Sequence, residues 1–459
     1  MPFHNKAGQL HKRCANRLGI ALSLLSPLTM CYAQRQAVPG AGVTSTITVD
    51  LPKAIVLSQS NEPMFAAALA ESRATALDRS IARAALLPSA VYHNQYLFTQ
   101  SNGARNAAGQ SGFQPAPIFV ANNTVHEYYS QGAVTETLGF KQRADLQIAN
   151  ANAARAAAEL EIARRGLVST VMGLFYGRSA SLRKLQIAER AATEAAAFTV
   201  LTEQREAARE GAHADVIKAQ LQQQQRNRDV TDAKLAAERA RLELAVLLFS
   251  DPRTEYQLQD GTIPALPTRD EITQRASANN AELKSVLAVL RASDAAVLSA
   301  RAAYLPDLGL NLTYGIDAPQ FARYGPNGVK NLGYSASATL DIPLWDWLAT
   351  EHRVKQTQIR RNAVRVALTA TQRRLIAALD ESYSEAVAAE QQRASLDDSV
   401  RTAAESLRLT KLRYADGEAT VLEVVDAQSA LTAAENLRED GGLRFEAALA
   451  NLQTLTGTL

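Results

Sequence analysis

Cysteine is nearly absent: the 459 residues contain only Cys14 and Cys31, too few for a disulfide scaffold or a cysteine-rich metal site. Long apolar runs are missing too. No stretch of the body approaches the roughly 20 consecutive apolar residues of a membrane-spanning helix, which excludes a helical inner-membrane protein but leaves a β-barrel open. Charge of one sign is also lacking, since 49 Lys and Arg stand against 46 Asp and Glu. A formal net charge of +3 over this length gives no electrostatic case for nucleic acid. The six His have no metal-ligand spacing, His126-Glu127 stands without a second ligand, and neither a P-loop nor a nucleophile elbow occurs. Neither an enzyme nor a cofactor nor a metal is therefore expected. What is plentiful is apolar residue, 47% of the chain, too much for a disordered protein.

The first segment has the three-part layout of a secretory signal. Lys6, Lys12, Arg13 and Arg17 precede the apolar run Leu18 to Met30, and small residues follow towards Ala33, the expected cleavage point. Cys31 has a second reading: Leu28-Thr29-Met30-Cys31 loosely resembles a lipoprotein box in which the cysteine is acylated, although Met30 stands where Gly or Ala is usual. Either way the mature chain leaves the cytoplasm. Removing residues 1–33 takes away four Lys/Arg and no Asp/Glu, so the remaining 45 against 46 carry a net charge of about −1.

The body repeats itself. Ala82-Arg83-Ala84-Ala85-Leu86-Leu87-Pro88 returns as Ala300-Arg301-Ala302-Ala303-Tyr304-Leu305-Pro306, with six of seven positions alike. Each half reads as a helix, two strands and two further helices. Residues 61–87 and 270–303 are predicted helices, each stopped by a proline. The stretches 140–209 and 349–415 contain no proline and are rich in Ala, Leu, Glu, Gln and Arg, so each is predicted to be helical throughout. Such helices reach roughly 100 Å, too long for one globular core, and must pack side by side. Gly211 and Gly417 then mark left-handed turns after which a helix returns.

The strands of the second half alternate strictly. Leu308, Leu310, Leu312, Tyr314 and Ile316 share one parity against Asp307, Gly309, Asn311, Thr313, Gly315 and Asp317. Residues 331–342 do the same, whereas in the first half Ala90, Tyr92, Tyr96 and Phe98 share their face with Asn94. Alternation alone suits either a half-buried soluble sheet or a lipid-facing strand. The export signal, the small polar opposite face and the tyrosines at 92, 96, 128, 129, 314, 324 and 334 favour the membrane strand. Four strands cannot close a barrel, and open edges are not tolerated in hydrocarbon, so several chains must share one.

With this pattern in place, the sequence resembles the TolC family of bacterial outer-membrane efflux proteins. The stretch from Arg413-Tyr414 through Gly417 and Thr420 to Asp426-Ala427-Gln428 resembles that family's periplasmic helix-turn-helix, and Ile342-Pro343-Leu344-Trp345-Asp346 its strand-to-helix junction. Glu210-Gly211, Asp215-Val216 and Ala219-Gln220 are the weaker first-half counterpart, and Leu138-Gly139-Phe140 lacks the proline. The resemblance implies an α+β membrane protein: a duplicated helix-strand-strand-helix unit, a long α-helical periplasmic barrel, and four strands per chain of a shared transmembrane β-barrel. It divides the chain into a signal peptide (1–33), an extended segment (34–60), a first outer-membrane efflux repeat (61–250), a linker (251–269) and a second repeat (270–459). It further implies a homotrimer in outer-membrane lipid, a periplasmic adaptor protein, and an inner-membrane transporter of RND, ABC or MFS type. A periplasmic adaptor or a structural coiled coil is the alternative, but adaptors carry one hairpin and this chain has the unit twice.

A duct needs a gate and a docking surface rather than catalytic groups. By resemblance, Glu423 and Asp426, three apart and on one helical face, form a constriction ring of six carboxylates in a trimer. Glu423 has a second reading, because Thr420-Val421-Leu422-Glu423 is also a capping box. Asp215 near a helix start suits the helix dipole, or a latch to Tyr414 or to a neighbouring chain. By resemblance, Gly211, Asp215, Tyr414 and Gly417 mark the exposed tip turns where an adaptor would dock. The loops at 101–123 and 318–330 are expected to face the cell exterior.

Overall fold

The structure, a computed structural model, describes residues 47–98, 126–259 and 264–457. The expected export segment with Cys31 and the expected exterior loop at 101–123 lie outside the described residues.

The duplication is written in element lengths. Strand β1 (Ile47–Val49) leads into helices α1 (Leu51–Asn61) and α2 (Pro63–Ala84), strands β2 (Ser89–Phe98) and β3 (His126–Leu138), then α3 (Phe140–Ala207) and α4 (His213–Leu248). After the short strand β4 (Tyr256–Leu258) come α5 (Arg269–Asn279), α6 (Ala281–Ala302), β5 (Asp307–Ala318), β6 (Leu332–Asp341), α7 (Ala349–Ala415) and α8 (Val421–Thr456). α1 and α5 both have 11 residues, α2 and α6 both 22, α4 and α8 both 36, while α3 and α7 have 68 and 67.

Two expectations need correction here. Residues 34–60 are not extended to their end: helix α1 starts at Leu51, where the Asp50 carboxylate accepts from the Lys53 amide at 2.9 Å and proline stands in the first turn. The expected single helix over 270–303 is two, because Asn280 leaves helical geometry and caps a new start, accepting from the Leu283 amide at 2.8 Å. Asn competes with the backbone for hydrogen bonds and so favours such caps, but without a proline the break was not visible. In the first half the corresponding break falls at Glu62, before Pro63.

The four long strands form one antiparallel sheet in the order β2-β3-β5-β6. Its register places like faces together: Leu308 opposes Leu340, Leu312 opposes Ala336 and Val134, and Tyr314 opposes Tyr334 and Gly132. The other face carries Asn311 opposite Ser337 and Thr135, and Thr313 opposite Ser335. Polar residues on the apolar face satisfy one another. Tyr92 Oη donates to Ser130 Oγ at 2.8 Å, and Ser130 Oγ donates to Asn94 Oδ1 at 2.6 Å. Gly315 is obligatory, since a Cβ there would collide with the β3 backbone at Ser130 and Gln131. In the 318–330 loop, Tyr324 bridges to Lys330.

Below the sheet, the helices pack in antiparallel pairs. One apolar cluster joins Val49, Ala54, Phe175, Leu244, Leu248 and Tyr256. A second joins Ile272, Ala276, Leu379, Ala386, Ala448 and Leu452. The parallel pairing of β1 with β4 draws the inter-repeat segment onto the first cluster. Arg165 ties the halves together: it donates to Glu161 at 2.6 Å within its own helix, to the Asn279 carbonyl at 3.1 Å, and to the Thr454 carbonyl at 3.3 Å. No helix among the described residues is long and apolar enough to cross a membrane.

Candidate functional site

The site lies at the end of the helices farthest along the chain from the sheet, where α3 turns into α4 and α7 into α8. Both turns close the same way. Glu210 N donates to Arg205 O and Glu418 N to Arg413 O, each at 2.8 Å, which is the six-to-one bond of a Schellman motif. The left-handed residue is Gly417 in the second turn, at φ +81°, as expected. In the first turn it is Arg209, at φ +63°, and not Gly211, which therefore does not serve the left-handed position expected of it. Superposing the two turns sets Arg209 against Gly417, Asp215 against Glu423, and Lys218 against Asp426.

The two turns are fastened to each other. Arg205 Nη1 donates to the Tyr414 carbonyl at 2.5 Å and Nη2 to the Ala415 carbonyl at 3.2 Å, capping the last turn of α7 with a cation. The same guanidinium lies 4.8 Å over the Tyr414 ring, whose edge meets Phe198 at 5.2 Å. Phe198, Ala219, Tyr414, Val421 and Val424 form the apolar plug of the tip. Tyr414 is thus a buried packing residue. The expected Asp215 to Tyr414 bond is not made within the chain; the nearest partner of Asp215 is Lys218, at 3.7 Å.

Glu423 completes the capping box. Thr420 N donates to its Oε1 at 3.1 Å, and Glu423 N donates to Thr420 Oγ1 at 3.3 Å. Arg413 Nη1 approaches its other oxygen at 3.4 Å. The Thr420 backbone bond first, then the Thr420 hydroxyl and the Arg413 charge, hold its carboxyl below the usual range, so it is ionised at neutral pH. Asp426, one turn on, is exposed and makes no side-chain hydrogen bond or ion pair among the described residues. The second repeat therefore carries two acids where the first carries the neutral pair Asp215 and Lys218. Arg205 and Lys218 escaped the sequence reading; setting Arg205 against Arg413, in register between the two tips, is the signal that finds them. Among the described residues no group of three His, Cys, Asp or Glu side chains is placed to hold a metal.

Residues 272–458 match the sequence profile of the family described as outer membrane efflux protein. No curated protein matches the chain. Its fold is that of solved outer-membrane channels. The Campylobacter jejuni channel CmeC is 15% identical, with 95% of each chain covered and a TM-score of 0.73. The Vibrio cholerae outer membrane protein VceC is 16% identical over 89% of this chain and 96% of its own, at 0.74. The Neisseria gonorrhoeae channel MtrE, solved in its open state, is 18% identical over 89% of this chain and 88% of its own, at 0.71.

Proposed function

We propose that this chain, whose second repeat matches the outer membrane efflux protein family and whose fold is that of solved outer-membrane channels, is a TolC-family channel, and that three copies of it form one passive duct through the outer membrane and periplasm. The single observation that carries this reading is the sheet: among the described residues β2 and β6 are its unpaired edges, and the strands between them have an apolar face and a small polar face. Hydrocarbon tolerates no open edge, so β6 of one copy pairs with β2 of the next, and three copies give twelve strands from four per chain. The small polar face then lines a water-filled lumen, continued by the long helices into the periplasm. Small molecules or polypeptides enter at the tip from an inner-membrane transporter of RND, ABC or MFS type, through an adaptor docked on the turns around Gly211 and Gly417. The alternative of an adaptor does not account for a four-stranded sheet with a lipid-like face.

At the tip, Asp426 is the gating acid, supported by Glu423. Threefold symmetry brings six carboxylates to a narrow lumen, with Arg413 close to Glu423 as a counter-charge in each chain. Single-channel conductance in planar bilayers tests this. Millimolar multivalent cations are expected to block the parent channel and to leave the Glu423→Gln/Asp426→Asn channel conducting. Equal block of both sinks the gate, and no conductance from either sinks the duct.

A further inference from the structure

We propose that the turn Leu344-Trp345-Asp346-Trp347-Leu348 is a membrane-interface anchor, seated among lipid headgroups at the periplasmic rim of the barrel. The chain contains only two tryptophans, and both stand in this turn. Their rings meet edge to face, with centroids 5.8 Å apart. Trp345 and Trp347 are 70% and 83% exposed, and Leu344 beside them 90%. Neither indole N–H donates to an acceptor among the described residues, so each ring presents a large apolar body and an unused donor. Tryptophan of this kind partitions to the membrane interface, where both needs are met.

Position and backbone say the same. Asp341 pairs with Asp307 at the last rung of the sheet, and α7 begins at Ala349, so the turn joins the barrel rim to the helices. Leu340 on the apolar face of β6 is followed just past the strand end by Ile342 and Leu344, all three exposed. Leu138 and Phe140, at the corresponding end of β3, are exposed on the same rim. Trp347 and Leu348 are both left-handed, at φ +54° and +63°, where glycine is the default. Two such residues cost about 1–2 kcal/mol each. Asp346 holds them there, its carboxylate accepting from the Thr350 amide at 2.8 Å and its carbonyl from Ala349 at 3.1 Å. The first-half junction passes through Gly139 in extended geometry and needs no such turn. Strain kept with a bulky side chain, where glycine would relieve it, points to a use for the side chain.

This inference rests on the barrel reading, and the test separates the two. Because the turn holds every tryptophan, intrinsic fluorescence reports on it alone. The mature protein is reconstituted in phosphatidylcholine vesicles whose acyl chains carry bromine either near the glycerol end or near the chain terminus. Flotation with the vesicles and channel conductance confirm insertion independently. The anchor predicts at least about twofold quenching by the shallow bromine and clearly less by the deep one. Trp345→Phe and Trp347→Phe, each leaving one indole, both keep that order. Inserted, conducting protein whose emission ignores both bromines would place the turn against a neighbouring copy and overturn the anchor alone. Failure to float overturns the barrel and the anchor with it.

Discussion

Gly417 and Arg209 occupy equivalent positions in two equivalent turns, and only one of them is suited to its backbone. A left-handed residue with a Cβ costs about 1–2 kcal/mol, so Gly417→Ala should destabilise the tip by that amount. Arg209→Gly should be neutral or stabilising by less than about 1 kcal/mol, since relieved strain is offset by the greater freedom of glycine in the unfolded chain. Thermal loss of helical circular dichroism in detergent measures both. Glu423 separates its two roles by substitution: Glu423→Gln keeps the capping box and removes the charge, whereas Glu423→Ala removes both and should lower the thermal midpoint of the tip. At this scale the sequence showed what depends on local chemistry. Gly417 and the Thr420 to Glu423 box could be read because both motifs work within a few residues. Arg209 could not, because the nearby Gly211 is the better glycine for the turn and only the backbone shows that it was not used. Tyr414 was misassigned for a related reason: its burial depends on Phe198, more than 200 positions away.

Among the elements, α3 is the one on which both repeats converge. Arg165 on α3 reaches the end of α5 at Asn279 and the end of α8 at Thr454, so it caps two helices of the other repeat. Truncation leaves both carbonyls without this donor, and Arg165→Ala should cost about 2–3 kcal/mol. Lysine should recover little of it, because one ammonium cannot replace the guanidinium fork. Glu161 gives a pH signature at the same place. The Arg164 hydrogen bond, then Arg165, lowers its pKa from 4.5 to about 2, against an opposing desolvation. A depressed carboxylate contributes stability that is full above the unfolded value and is lost as pH falls through the folded one. Acid unfolding should therefore steepen between about pH 4.5 and pH 2 in the parent, and less so in Glu161→Gln, by an amount under about 1 kcal/mol once solvent screening is counted. Long proline-free runs made α3 and α7 legible over nearly their full length. The break at Asn280 was not, since it depends on a side-chain cap with no proline to mark it.

For the whole molecule, the alternation of β5 and β6 already implied a sheet with one apolar face, and the observed register bears that out rung by rung. The first half obscured it, because Asn94 and Ser130 lie on the apolar face; their mutual bond and that of Tyr92 remove the contradiction. Duplication was legible from one heptapeptide, and the matched helix lengths extend it to the chain. The central claim is that β2 and β6 are edges only in a single copy. It is tested most directly by crosslinking them in the membrane. In a Cys14→Ser/Cys31→Ser background, Val91→Cys on β2 is combined in turn with Ser335→Cys, Ser337→Cys or Thr339→Cys on β6, all on the polar face. The account predicts that one pairing, after oxidation, yields a covalent trimer on a non-reducing gel, reversed by reductant, while either cysteine alone yields monomer. Monomer from every pairing, or an open ladder running past three copies, would contradict it.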